Sequence, residues 1–323
     1  MDFPDKIETI EDALKIIRKI KHDVKTGIRL PFYDHHTLNN KSLFTDIWYR
    51  GEEEEFPNPL LPKIFRNQYD ETIIFNYLPT YIMELREIED DFDRLCYMQH
   101  YGAPTRLLDW TDNILVALYF AVKASPDKDG IIYILNSRLL NYYTGLRKGN
   151  KNILNKDNLG TIIRCLMIHS DSSKEWQDKF KKVVQFDWKR DDLNDVPLKK
   201  ILKTTKDHIS ENLDEQMKAF STPVSVRPDK SNNRILHQGG LFTIHGGKNH
   251  IVSDRINSRM RIPPPKSLIE LNNIGKFILK FHIPAKSKET IKDDLLFLQI
   301  HEGKMFPELE KQNEFIKLIG LKE

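Results

Sequence analysis

Gln99-His100-Tyr101-Gly102-Ala103-Pro104-Thr105-Arg106-Leu107-Leu108-Asp109-Trp110-Thr111 is the stretch on which the fold turns. Gly102 and Pro104 stop a helix that runs from about Asp90 to His100, since glycine tolerates left-handed backbone and proline lacks an amide proton. A loop with little freedom follows through Arg106. Thr111 and Asp112 are then cap candidates for Ile114, Leu115, Ala117, Leu118, Phe120 and Ala121, a helix apolar nearly all round and therefore buried. Asp127-Lys128-Asp129-Gly130 turns the chain into Ile131 to Leu135, which reads as a buried strand.

Upstream, Ile10, Leu14, Ile17 and Val24 fall at helical spacing between Ile7 and Val24, with Thr9 and Asp12 placed as a capping pair. Phe44 to Tyr49 reads as a core strand delivering Arg50 to its end, where the acidic run Glu52 to Glu55 breaks the apolar pattern. A proline-rich stretch leads through Ile64-Phe65-Arg66 to a helix over Glu71 to Glu87 that Pro79 interrupts. Downstream, residues 136–220 turn rich in Lys, Asn and Asp, with helical patterning in Ser173 to Val184 and Leu198 to Met217. Arg234 to His245 returns to strand character beside Gly239-Gly240, and Phe277 to Ile283 alternates as a strand with one exposed face.

Strands near 45, 132, 242 and 280 separated by helices define an α+β fold, a central mixed sheet flanked by helices. The expected organisation is one domain over 1–323. An N-terminal helix occupies 1–37, the core takes 38–135 and 221–323, and 136–220 form a peripheral helical insertion.

The chain has 323 residues, 39% hydrophobic and 30% charged, enough for a packed core beneath a charged surface. Its net charge of +3 does not demand a polyanionic partner. The interleaved Lys and Asp residues of 178–207 read as a solvated helical surface. No apolar run reaches the eighteen or so residues of a membrane span, and the first residues lack a secretion pattern, so a soluble cytoplasmic protein is expected. Two cysteines, Cys96 and Cys165, make no Cys-x-x-Cys pair. His237, His245 and His250 match no ligand spacing, so no metal is expected. His245-Gly246-Gly247-Lys248 lacks the spacing of a phosphate loop, which excludes Walker-type and Rossmann chemistry. No clustered carboxylates suggest a two-metal nuclease.

Two groups of residues carry candidate chemistry. Arg50 followed by Gly51 can pair a phosphate while the bare backbone lets a ligand approach, or Arg50 can close a structural salt bridge. Thr105, Arg106, Asp109 and Thr111 precede a helix start, whose amides favour a phosphate or ribose hydroxyl. The structural alternative has Asp109 or Thr111 capping the helix while Arg106 pairs Asp109. His100 and His237 flank these motifs as general acid or base candidates, or as structural donors.

Trp48-Tyr49-Arg50-Gly51, the block from Gln99 to Thr111 with Ala117-Leu118-Tyr119-Phe120-Ala121, Asn233 to Thr243, and Ile300 through Met305-Phe306-Pro307-Glu308-Leu309 appear in the order of the FRG-domain family, which this chain resembles over nearly its whole length. A weaker resemblance lies in motif order: Tyr49-Arg50-Gly51, a Thr-containing strand-to-helix turn, and a late strand bearing Gln238 are similar to the layout of ADP-ribosyltransferases. That likeness implies NAD as substrate, with Arg50 and Gly51 in NAD contact, Thr111 and Asp109 on the ribose side, and Gln238 at the catalytic position. It also implies a toxin or defence effector acting on a protein or nucleic acid. Those enzymes carry glutamate where Gln238 stands, and glutamine has no charge to stabilise a developing cation, so Asp109 is the nearest substitute. The alternative is a non-catalytic nucleotide- or partner-binding module using the same pocket.

Overall fold

The computed structural model describes residues 3–26, 46–144, 156, 159–169, 221–229, 233–248, 264–308 and 312. Among these residues six strands make one sheet: β1 (Ile47–Glu52), β2 (Leu107–Thr111), β3 (Gly130–Asn136), β4 (Val224–Val226), β5 (Gly240–Ile244) and β6 (Ile278–Ile283), in the order β4-β5-β2-β1-β3-β6. The α+β class stands. The sheet is not mixed as expected: among the described residues every strand pair is antiparallel, and parallel pairing is confined to the isolated bridge between Lys6 and His282.

The register locates the site. β1 and β3 pair continuously from Ile47↔Asn136 to Glu52↔Ile131, and β2 and β5 from Leu107↔Ile244 to Thr111↔Gly240. Between β1 and β2 only Tyr49↔Thr111 is in register. Beyond that pair the two halves of the sheet part.

Twelve α-helices surround the sheet among the described residues: α1 (Ile10–Thr26), α2 (Lys63–Arg66), α3 (Glu71–Tyr81), α4 (Met83–Glu87), α5 (Asp91–His100), α6 (Ile114–Val122), α7 (Ser137–Tyr143), α8 (Leu159–Leu166), α9 (Asn233–Gln238), α10 (Leu268–Gly275), α11 (Lys288–Phe297) and α12 (Glu302–Met305). At the start of α1 the Thr9 amide and hydroxyl donate to Asp12, whose own amide donates back to Thr9 Oγ1, so the capping pair forms. α6 begins at Asn113, whose side chain accepts from the Leu115 amide; neither Thr111 nor Asp112 is its N-cap.

α6 packs on β1, and Gly51 makes that approach possible. A Cβ at Gly51 would run into the Ala117 carbonyl oxygen. The bare face expected to admit a ligand instead admits a helix. Two apolar clusters result. One joins α1, α6 and α11 to β1, β3 and β6. The other gathers Phe75, Leu85, Phe92, Leu95, Cys96 and Met98 from α3, α4 and α5 against Leu107, Val224, Phe242 and Ile244. In β2, Leu108 and Trp110 face the first cluster and Leu107 the second, so this strand is covered on both sides.

Several expectations change. Arg50 lies inside β1, not at its end. Leu107–Thr111, read as loop and turn, is a strand. Pro79 is accommodated within α3, which continues to Tyr81. Residues 234–238, the first part of the stretch read as strand, are helical, and Gln238 is the last residue of α9. Within the expected peripheral insertion, Leu139, Leu140, Ile163, Cys165 and Ile168 are buried, so these parts belong to the core. The helices expected over Ser173 to Val184 and Leu198 to Met217, the lysine-rich face, and the end of the 1–37 segment lie outside the described residues.

Candidate functional site

Where β1 and β2 diverge, the ladder hydrogen bonds are replaced by a side chain. Arg50 Nη1 donates to the Asp109 carbonyl at 2.8 Å, spanning the gap. Arg50 Nε donates to Glu52 Oε1 at 2.9 Å, and Glu52 is buried. The gap is a cleft of about 350 Å³, within the range of roughly 300–1,000 Å³ usual for ligand sites. Its walls come from β1, from β2 and β5, from α5 and α6, and from α9.

Arg50, Gly51, His100, Asp109, Thr111 and Gln238 all line this cleft. Six of the eight predicted site residues are therefore brought together. Their side chains are not equally available.

Thr111 Oγ1 donates to the Gln238 carbonyl at 2.6 Å and accepts from the Asn113 amide at 3.0 Å, tying β2 to α9 and α6. Gln238 Nε2 donates to the Met305 carbonyl at 2.9 Å, tying α9 to α12. Gly239 next to it has φ +57°, a backbone that favours glycine, and its carbonyl accepts from the Asp112 amide.

Asp109 differs. Its side chain is exposed, and Oδ2 accepts from Gln99 Nε2 at 2.9 Å. Gln99 Oε1 in turn accepts from Thr105 Oγ1 at 2.7 Å, and Thr105 is 1% exposed. Thr105 thus reaches the site through Gln99. Asp109 Oδ1 has no partner among the described residues and is available to a ligand.

Arg106 lies elsewhere. Its guanidinium donates to Glu71 from Nε and Nη2 at 2.9 and 2.6 Å, and from Nη1 to the His245 carbonyl, with the residue 1% exposed. The pairing expected with Asp109 is made with Glu71 instead. Arg106 therefore locks α3 to the start of β2 and does not face the cleft.

His100 is held near neutral form. Burial and the neighbouring Arg234 guanidinium lower its pKa from the ordinary imidazole value, against the opposing pull of Glu308. His100 Nε2 is 3.3 Å from Glu308 Oε1. Cys96 also lines the cleft, but burial pushes its thiol far above the ordinary range and leaves it a poor nucleophile. His237 is exposed at the end of α9 and does not line the cleft. No group of three or more potential metal ligands occurs among the described residues.

Sequence reasoning missed Gln99 as a positioning group, and it missed Glu52, Arg66, Lys123 and Arg234, which also line the cleft. Gln99 stands at the head of the longest motif and Glu52 directly follows Arg50-Gly51, so motif adjacency could have found both. Arg66 and Lys123 lie outside every motif, and no signal pointed to them.

Residues 45–130 match the family model of the FRG domain, and the chain carries an FRG domain over that segment. It contributes Arg50, Gln99, His100, Asp109 and Thr111, while Arg234 and Gln238 come to the cleft from outside it. No curated protein and no solved structure matches the chain. No helix among the described residues is long and apolar enough to cross a membrane.

Proposed function

We propose that this FRG-domain chain binds a nucleotide or dinucleotide in the cleft between β1 and β2, with NAD as substrate and Asp109 acting on its ribose side. The carrying observation is the relay from Thr105 through Gln99 to Asp109, which aims a carboxylate with one unoccupied oxygen into a cleft that also holds Arg50 and Arg66. A hydrogen-bond relay that starts from a buried residue and orients an exposed carboxylate is a device of preorganised sites. The structural role first considered for Asp109, helix capping, is filled by Asn113.

In the reaction the bond between ribose C1′ and nicotinamide breaks, and its electron pair leaves with nicotinamide. Positive charge develops on the ribosyl carbon, and a fixed carboxylate nearby lowers the energy of that state. A nucleophile of the acceptor then bonds to C1′ and gives up its proton. His100, kept neutral, is the base in reach of the same cleft. Gln238 can accept a hydrogen bond from a ribose hydroxyl through its side-chain Oε1, which has no partner among the described residues, whereas its backbone carbonyl is taken by Thr111. The acceptor is water or a target protein or nucleic acid, the last two in keeping with a toxin or defence effector.

A non-catalytic nucleotide sensor has its own support: Thr111 and the Gln238 amide are committed to internal hydrogen bonds. One pair of assays separates the readings. Calorimetry with NAD should show binding by the wild-type chain and by Asp109→Asn, while released nicotinamide should fall at least about a hundredfold in the variant if the carboxylate stabilises the transition state. Binding with no nicotinamide release from wild type would leave only the sensor. No binding would remove both.

A further inference from the structure

We propose that Arg66, together with the free edge of Arg50, forms an anion subsite at one end of the cleft that takes the phosphate or pyrophosphate of the ligand; this rests on the nucleotide reading of the same cleft. Four observations carry it. Arg66 lines the cleft with Arg50, yet it has no ion pair or side-chain hydrogen bond among the described residues. Its Nε is shielded from water and unpartnered, so among the described residues no acceptor offsets the charge that the guanidinium carries into the cleft. The guanidinium lies over the Phe56 ring at 5.5 Å, which restrains its plane without neutralising it. Arg50 commits Nε and Nη1 to Glu52 and the Asp109 carbonyl, leaving Nη2 without a partner among the described residues.

The electrostatics agree. Burial lowers the pKa of Arg66, and the Arg50 charge lowers it further, with Glu52 partly opposing. Two guanidinium groups facing one space repel each other until an anion enters between them. Arginine suits that task, because its planar fork meets phosphate oxygens with two parallel hydrogen bonds. The buried Glu52 already holds Arg50 by Oε1, so it orients one member of the pair without discharging the other. The cleft thereby divides its labour: β1 and α2 grip the phosphate, and β2 with α5 present Asp109 to the sugar.

The test titrates NAD and, separately, inorganic pyrophosphate into the intact wild-type chain and into Arg66→Gln, with thermal melts of both proteins. Wild type should bind both ligands, and Arg66→Gln should weaken each at least about tenfold, the worth of one charge-assisted hydrogen bond. The unliganded variant should melt at the same temperature or higher, because an unpaired, repelled cation is removed; a structural role would lower it. Wild-type binding of NAD with unchanged affinity in Arg66→Gln overturns the subsite and leaves the nucleotide reading standing. Pyrophosphate binding that depends on Arg66 without any NAD binding keeps the subsite and removes the nucleotide reading. Absence of binding by either ligand overturns both.

Discussion

Arg106 and Arg50, both arginines of motif segments, show how burial assigns work to a side chain. Arg106 is enclosed, and all its observed donors meet Glu71 and the His245 carbonyl. Removing one partner of such a pair strands the other charge in a poor solvent. Arg106→Met should therefore cost about 3–5 kcal/mol in denaturant unfolding. Melting within experimental error of wild type would show that Glu71 finds another partner. His245 offers a second test at this scale. Burial, reinforced by Arg164, depresses its pKa from 6.5 to about 3, so it folds neutral and must charge to unfold in acid. The sign follows: the unfolded chain binds the extra proton, so this contribution is whole above pH 6.5 and declines as pH falls toward 3. Unfolding free energy measured across that window should drop with a slope of up to about 1.4 kcal/mol per pH unit from this group. His245→Gln should flatten that part of the profile, and an unchanged slope would remove His245 from the account.

Elements were legible where one face differed from the other, or where length allowed a pattern. α1 announced itself by period and by Thr9 with Asp12, and a cap of this kind is worth about 1 kcal/mol, so Thr9→Ala should lower stability by that amount in chemical melts. α6 and β3 were legible from apolar runs bounded by turn residues. β2 was not, because Leu107 and Leu108 pack on opposite clusters and the strand carries no alternation; Pro104 ahead of it looked like continuing loop. β4 has three residues, too few for any period. α9 was taken for strand because Ile235 and Leu236 run into the real strand at Gly240, and tertiary packing against β5 overrides that local pattern. The motif glycine also changes meaning at this scale. Gly51→Ala would push β1 away from α6, and overpacking of this kind costs about 1–3 kcal/mol. A variant as stable as wild type would mean that the α6 backbone yields.

For the whole molecule, the decisive feature is an antiparallel sheet that opens between two of its central strands. The clustering of Arg50, His100, Asp109 and Gln238 depends on that parting, and no local pattern reports where two strands cease to pair. The Arg50-Gly51, Gln99–Phe120 and Asn233–Thr243 motifs did indicate segments that meet, since each contributes a wall of the cleft, whereas the described part of the tail motif does not line it. They did not show which side chains remain uncommitted once the walls are joined. Thr105 and Thr111 turned inward to hold Gln99 and α9, while Asp109 and Arg66 keep atoms facing the open space. Hydrogen exchange of the intact chain with and without NAD tests the central claim most directly. The account predicts added protection in peptides covering Ile47–Glu52, Asp91–Thr111 and Asn233–Ile244, with β6 and α11 unchanged; protection confined to other segments, or none at saturating NAD, would contradict it.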